Sequence, residues 1–476
     1  VKQAPDNHGL RRALGLPDLV SLQILLIVGP SWTGYAARQG SAQVAFWLLG
    51  LVTFFLPAAL LIQFCVRIWP LEGGVYQWTR HGIGPFAGFM SAWNFGAWAV
   101  LLIANIGTLT ATSMHYVIGP SAAWMENSTA LIIALNAVLL GFMLGVNVLG
   151  LRIGRWVAHF GTTVFVAVIL LAQSLLLVHH PDAHRVGHEL SPAFSWRMPV
   201  LSLLAMNLFA KLTFQGLTGL EQVAVFAGET RDPARSILRS AWIAAPLIGI
   251  IYITLTGALL TYTPADEVDL NGPIPQLLAA AFGDSAGTLS AARLVGVVTN
   301  IFFAVGAVAQ YVVIVAETSR LPMVAAWDHL LPAAFTRLHP RFRTPTLSLV
   351  TIVAIALVFS VLACVGAGSD EAFQVMSVGA NIGYGVNYLL MFAVPLVVGT
   401  RFSPRPDLRP GLVLRLACVS AIAVTLASIG FALIPVVPVG NAALFAAKVA
   451  LPMILINALG IYLYWRGARR KEGLLP

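Results

Sequence analysis

Two stretches of the chain combine residues that can expose backbone to a ligand, and both lie inside long apolar segments. The first is Val28-Gly29-Pro30-Ser31-Trp32. Pro30 has no N–H and clashes with the turn before it, while Gly29 tolerates unusual dihedrals, so a helix is expected to break there. The amides that follow begin a second half-helix whose positive end suits a carboxylate. A plain proline kink is the alternative for this stretch taken alone. The second is Phe214-Gln215-Gly216-Leu217-Thr218-Gly219, which places two glycines within four residues. Freed carbonyls there would accept hydrogen bonds from an ammonium group; close helix packing across Gly216 and Gly219 is the alternative. Unpaired backbone groups are too costly to face lipid and persist only where they line a cavity or meet a ligand. Matching breaks in two halves of a membrane protein therefore point to a solute-binding site.

Ionisable residues inside such segments are costly and tend to serve function. Lys211 stands one turn before the second break, where it could neutralise a carboxylate, stand in for a cation or carry a proton; snorkelling or a structural pair is the alternative. Glu221 follows the break and could bind a cation, relay protons or steady the break. Asn94, Asn300 and Asn381, with Trp93, are polar or aromatic candidates to complete a pocket, although intramembrane Asn also glues helices together. Glu229 and Arg239 are expected to hold the end of the same segment, and His115 and His159 to be packing residues. His179, His180, His184 and His188 have helical spacing but neither cysteine nor a fixed acidic partner, so no metal site is expected. The cysteines Cys65, Cys364 and Cys418 are scattered and read as packing residues. No Gly-x-x-x-x-Gly-Lys, His-Glu-x-x-His or Gly-x-Ser-x-Gly occurs, which argues against a nucleotide or other cofactor and against a polytopic enzyme.

The elements that must position these residues are membrane helices. Of the 476 residues 58% are hydrophobic and only 10% charged, far below the roughly 25% of a soluble domain. The net charge of +9 sits in short loops and suits an anionic membrane surface rather than nucleic acid. Twelve apolar spans are expected, at 18–39, 43–66, 84–118, 129–149, 156–178, 199–228, 237–262, 288–319, 346–365, 372–399, 411–435 and 442–465. With a cytoplasmic N-terminus, all of the 28 lysines and arginines except Arg38, Arg185, Arg197, Lys211, Arg293 and Lys448 fall on the cytoplasmic side. The first five spans and the next five then run in opposite orientations, which is the pattern of an inverted repeat with a broken first helix in each half. The chain divides into a cytoplasmic N-terminus (1–17), a first repeat (18–178), a second repeat (199–399), two further spans (411–465) and a cytoplasmic C-terminus (466–476). The membrane implied is a plasma membrane or a bacterial inner membrane.

Three ordered motifs resemble those of the amino acid–polyamine–organocation (APC) transporters. Gly219-Leu220-Glu221, Ala227-Gly228-Glu229-Thr230-Arg231-Asp232-Pro233 and Ile237-Leu238-Arg239-Ser240 look like that family's sixth-helix signature. Pro70-Leu71-Glu72-Gly73-Gly74-Val75-Tyr76-Gln77-Trp78, then Gly84-Pro85-Phe86-Ala87-Gly88-Phe89, resembles its loop between helices two and three. Ser319-Arg320-Leu321-Pro322-Met323, with Asp328-His329-Leu330-Leu331-Pro332, His339-Pro340-Arg341 and Thr344-Pro345, resembles the loop after helix eight. The resemblance implies an all-α, twelve-helix LeuT-like fold that moves an amino acid by alternating access, driven by a proton or sodium gradient or by a counter-substrate. In place of the Gly-x-Gly break of many members stands Gly29-Pro30-Ser31, which looks closer to a branch containing polyamine transporters. The lysine that some proton-coupled members carry in the fifth helix falls near Phe165. A polyamine carrier and a non-transporting sensor on the same fold are the rival readings.

Overall fold

The computed structural model describes residues 12–176, 197, 202–270, 272–282, 291–363, 369–401, 409–435 and 441–471. Long apolar runs in lipid must satisfy their backbone internally, and among the described residues they do so almost entirely as helix. The order is α1 (Leu16–Ile27), α2 (Pro30–Ala37), α3 (Gln43–Gly50), α4 (Leu56–Ile68), α5 (Val75–Gly82), α6 (Pro85–Ile103), α7 (Ile106–Ile118), α8 (Trp124–Asn127), α9 (Thr129–Leu149) and α10 (Leu151–Ser174). There follow α11 (Leu203–Leu217), a 3₁₀ stretch (Gln222–Glu229), α12 (Pro233–Tyr262), α13 (Pro273–Phe282), α14 (Ala291–Thr318) and α15 (Arg320–Trp327). The chain continues through α16 (Thr346–Ala363), α17 (Ser369–Arg401), α18 (Leu412–Ala432) and α19 (Ala442–Lys471). An isolated bridge pairs extended backbone at Leu14 with that at Thr230.

Nine of the helical stretches among the described residues are long and apolar enough to cross a membrane. The segments at 18–39 and 199–228, each expected to contain a break, are divided into shorter pieces, and the apolar helix at 346–362 is shorter than those nine. A π turn over Leu51–Phe55 joins α3 to α4, and the expected single span 84–118 bends between α6 and α7 at Ala104-Asn105. The His179–His188 cluster and Cys364 lie outside the described residues.

Packing sorts the helices into an inner and an outer set. Helix α1 packs on α12 and α10, α6 packs on α17, and α10 packs on α14. Large aromatic side chains fill the space between them, with Trp47, Tyr252, Phe214, Tyr384 and Tyr388 fully buried. By contrast, α18 and α19 expose Leu412, Val413, Leu451 and Ile454, the apolar surface that lipid covers in a membrane protein.

Candidate functional site

Helix α1 ends at Ile27, and Val28 and Gly29 are extended (ψ 93° and 122°) before α2 starts at Pro30. Its last carbonyls, which have no partner within the helix, meet side chains from distant helices. The Gln310 amide on α14 donates to Leu25 C=O at 2.5 Å and to Leu26 C=O at 3.2 Å. Tyr252 on α12 donates its hydroxyl to Ile27 C=O at 2.6 Å and accepts the Gly29 N–H at 3.0 Å. That ring stacks on Trp47 at 4.3 Å between centroids, and the Trp47 indole N–H donates to Thr256. A Cβ on Gly29 would fall 2.4 Å from the Trp32 indole nitrogen, so glycine is what lets Trp32 lie over the break.

The second interruption has the same kind of clamp. Helix α11 ends at Leu217, Thr218 is extended, and Gly219 takes φ +116°, a conformation that glycine reaches without strain. The Gly219 N–H donates to the Tyr388 hydroxyl at 2.9 Å, and Gln23 on α1 donates to Leu220 C=O at 3.0 Å. The Tyr384 and Tyr388 hydroxyls each donate to one oxygen of the fully buried Glu221 carboxylate. Gln222 in turn donates its amide to the Tyr384 hydroxyl at 2.9 Å.

A cavity of about 90 Å³ opens between the two interruptions. Its aromatic walls include Trp32, Trp98 and Tyr311, and its polar groups come from Asn105, Gln215, Thr218, Gln222, Gln310 and Asn381. None of the described residues lining it is Asp, Glu, Lys or Arg. Two acceptors on this lining, Gln222 Oε1 and Asn105 Oδ1, are buried and have no partner.

The structure thus brings Gly29, Trp32 and Gln215 of the sequence candidates to one cavity, with Asn381. Val28, Phe214, Leu217 and Gly219 form the backbone around it, and Gly216 packs against Trp47. Lys211 faces the other way: its ammonium donates to Ile434 C=O at 2.8 Å, at the end of α18. Asn94 donates to Met90 C=O and to Asn457, and Asn300 donates to Gly296 C=O, so both bond away from the cavity. Glu229 pairs with Arg320, which donates to both carboxylate oxygens at 3.1 and 3.2 Å. His115 and His159 carry acidic partners, Glu126 at 3.0 Å and Asp18 at 2.6 Å. Gln310, Gln222, Tyr252, Tyr384 and Tyr388 were not candidates from sequence. Their one visible signal is a polar group within an apolar helix, which many packing residues share.

Comparison with known proteins agrees with this arrangement. A family model described as amino acid permease matches residues 14–463. An uncharacterized transporter of Legionella pneumophila is 24% identical over 98% of each chain. The low-affinity putrescine importer PlaP of Escherichia coli is 27% identical over 61% of each. The serine/threonine exchanger SteT of Bacillus subtilis is 24% identical over 75% of this chain and 78% of its own. With the family model covering nearly its whole length, the chain belongs to the amino acid permease family of the APC superfamily, a family of membrane transporters and not of enzymes.

Proposed function

We propose that the protein is a secondary transporter that moves a neutral amino acid across a plasma or bacterial inner membrane by alternating access. The coarser reading, transport of a small organic solute, follows from its family. The finer one rests on the cavity between the two interruptions: it is polar, lined by no charged residue among those described, and holds the unpaired acceptors Gln222 Oε1 and Asn105 Oδ1. A zwitterion brings both charges with it, and each finds a complementary helix end. Its carboxylate would lie at the N-terminus of α2 beside Gly29, Pro30, Ser31 and Trp32. Its ammonium would face the C-terminal carbonyls of α11, Phe214 to Leu217, which no further helical turn satisfies, together with the two unpaired acceptors. A diamine such as that of the putrescine importer would need carboxylates at both ends, and Glu221 is turned to Tyr384 and Tyr388 instead.

In this reading α1–α2 and α11 with the 3₁₀ stretch are the broken first helices of two inverted five-helix repeats, and α18 and α19 are the two additional spans. The two interruptions hinge the pathway, while α6 and α14 supply its walls. Gln310 donates to the carbonyls at the end of α1, so a neutral side chain satisfies them without a cation. Transport then runs on protons or on exchange. Uptake of labelled serine, leucine and putrescine into proteoliposomes, with sodium or choline outside, tests the proposal. Saturable uptake of a neutral amino acid in both salts, competed by amino acids but not by decarboxylated amines, is the expected result. Uptake of putrescine alone, or binding without uptake, would overturn it.

A further inference from the structure

Residues 71–74 form a wedge between the 3₁₀ stretch and α15. The Gly73 N–H donates to Val225 C=O at 3.2 Å. Gly74 has φ +29°, and a Cβ there would lie 2.7 Å from the Ala224 carbonyl carbon; one on Gly73 would lie 3.0 Å from Val324. Only side chains as small as these allow so close a seat. The wedge carries Glu72 into the contact, where one carboxylate oxygen accepts the Gly228 N–H. A Cβ on Gly228 would lie 2.7 Å from that same oxygen, so Gly228 leaves the room that the carboxyl occupies. The other oxygen, Oε1, is closed off from solvent and has no partner.

Two charged groups act on it, Glu229 and Arg320, and Arg320 also acts on a third carboxyl, Glu317. Glu229 comes from the 3₁₀ stretch and takes both its bonds from Arg320. Arg320 comes from α15, is itself buried, and its Nε has no partner. Glu317, at the end of α14, shares the field of Arg320, and neither of its oxygens has a partner. On the wedge's own side, Tyr76 and Arg80 are turned to Asp328, with Arg80 at 2.7 Å, and His81 stacks on Trp69. One guanidinium therefore serves several carboxyls in a place with little water. Burial and then Glu229 push the Glu72 carboxyl well above the usual carboxylate range, against the smaller pull of Arg320 and the Gly228 N–H. The same stretch is pinned from the opposite side, since Ala13 and Leu14 both donate to Glu229 C=O.

We propose that the Glu72 carboxyl is the proton-binding site of this closed face, holding a proton while the wedge is seated and releasing it to water when the wedge lifts. On lifting, the carboxyl O–H breaks, the proton passes to solvent and the carboxylate is hydrated. The loop charges assign this face to the cytoplasm. The closed state binds the proton more tightly than the open one, so a rise in cytoplasmic pH favours opening. The proton is released to the cytoplasm on opening and regained from it on closing, so the site sets how readily this face opens at a given pH. This inference rests on the alternating-access reading but not on the identity of the substrate.

A cysteine reporter tests it without any substrate. Ser21 on α1 lines a cavity of about 60 Å³ that also borders Asp18, His159 and Arg320. In inside-out vesicles, Ser21→Cys would be labelled with a membrane-impermeant maleimide across pH 5.5–8.5, each rate divided by that of free cysteine at the same pH. The protein lacking this cysteine gives the background. We expect the normalised rate to rise with pH by up to about tenfold per unit, as one proton requires. Glu72→Gln, which keeps an acceptor for Gly228 but cannot ionise, is expected to label slowly and without pH dependence. Gly228→Ala, which pushes the carboxyl out of its seat, should label fast throughout. A Glu72→Gln protein that keeps the original slope would overturn the proposal. Failure of amino acid uptake would overturn the substrate reading and leave this result intact.

Discussion

Both interruptions are clamped by the same device, a glycine N–H donating to a tyrosine hydroxyl that in turn donates onward. At the first, Gly29 meets Tyr252, and the hydroxyl's proton goes to a backbone carbonyl, Ile27 C=O. At the second, Gly219 meets Tyr388, and the proton goes to the side chain of Glu221, which Tyr384 also holds. The first clamp therefore contains no carboxyl group, whereas the second does. Both interruptions open on the cavity, the first through Gly29 and Trp32 and the second through Gln215 and Thr218, but Glu221 itself is sealed behind its tyrosines. The difference separates the two tasks: one interruption offers a fixed, neutral surface to a solute, and the other joins backbone geometry to an ionisable group.

The severest way to break the comparison is to fill the first interruption. Gly29→Val places atoms where the Trp32 indole lies, 2.4 Å from the Cβ position. Displacing Trp32 removes one wall of the cavity, and uptake is expected to fall roughly a hundredfold, since misplacement by about 1 Å costs that much where orientation matters. Normal elution of the variant in size-exclusion chromatography would show that the fold survives. Wild-type uptake would move the binding site elsewhere. Next in size is Tyr252→Phe, which keeps the stack on Trp47 but leaves the Gly29 N–H and Ile27 C=O unpaired. Each unpaired buried group costs about 1–3 kcal/mol, so the melting temperature in detergent should drop clearly. Because this clamp holds no carboxyl group, the pH profile of uptake should keep its shape while its height falls.

The second clamp should behave in the opposite way. In Glu221→Gln one tyrosine hydroxyl meets an amide N–H where it had met an acceptor. Uptake is expected to fall by about tenfold, equivalent to about 1.4 kcal/mol, and its pH profile to change shape as well as height. Tyr388→Phe removes the donor to Glu221 and strands the fixed Gly219 N–H, and should destabilise more than Tyr384→Phe, which besides that donor removes only the acceptor of the rotatable Gln222 side chain. Equal pH profiles for Tyr252→Phe and Glu221→Gln would erase the distinction between the two interruptions.

How much of this was readable in the sequence follows from how local each cause is. Gly29, Pro30 and Gly219 act on the backbone where they stand, so both interruptions could be placed from residue type alone. The groups that satisfy the exposed backbone come from far along the chain. Tyr252 is 223 residues from Gly29, Gln310 is 285 from Leu25, and Tyr388 is 169 from Gly219. No periodicity records such pairings. The same limit applies to the intramembrane asparagines: Asn94 and Asn300 are indistinguishable by type from Asn105 and Asn381, yet the latter two line the cavity. Glu72 was visible only as part of a loop motif, because its setting depends on Gly228, 156 residues away.

Lys211 gives the smallest expected effect and the sharpest check on which side of α11 matters. It is one turn from Gln215, which lines the cavity, but its own ammonium is spent on Ile434 C=O beyond the last turn of α18. A cation suits the carbonyl end of a helix, where the macrodipole is negative, and one such bond contributes about 1 kcal/mol. Lys211→Met keeps the length of the side chain and removes the charge. The melting temperature should fall by a few degrees, uptake should stay within about twofold of the unaltered protein, and the pH profile should not move, since a group bonded to a carbonyl on an outer helix has no part in the clamp at Glu221. A lost or shifted pH profile would instead place Lys211 among the groups that handle the proton, and would join the outer face of α11 to the second interruption that the geometry keeps apart from it.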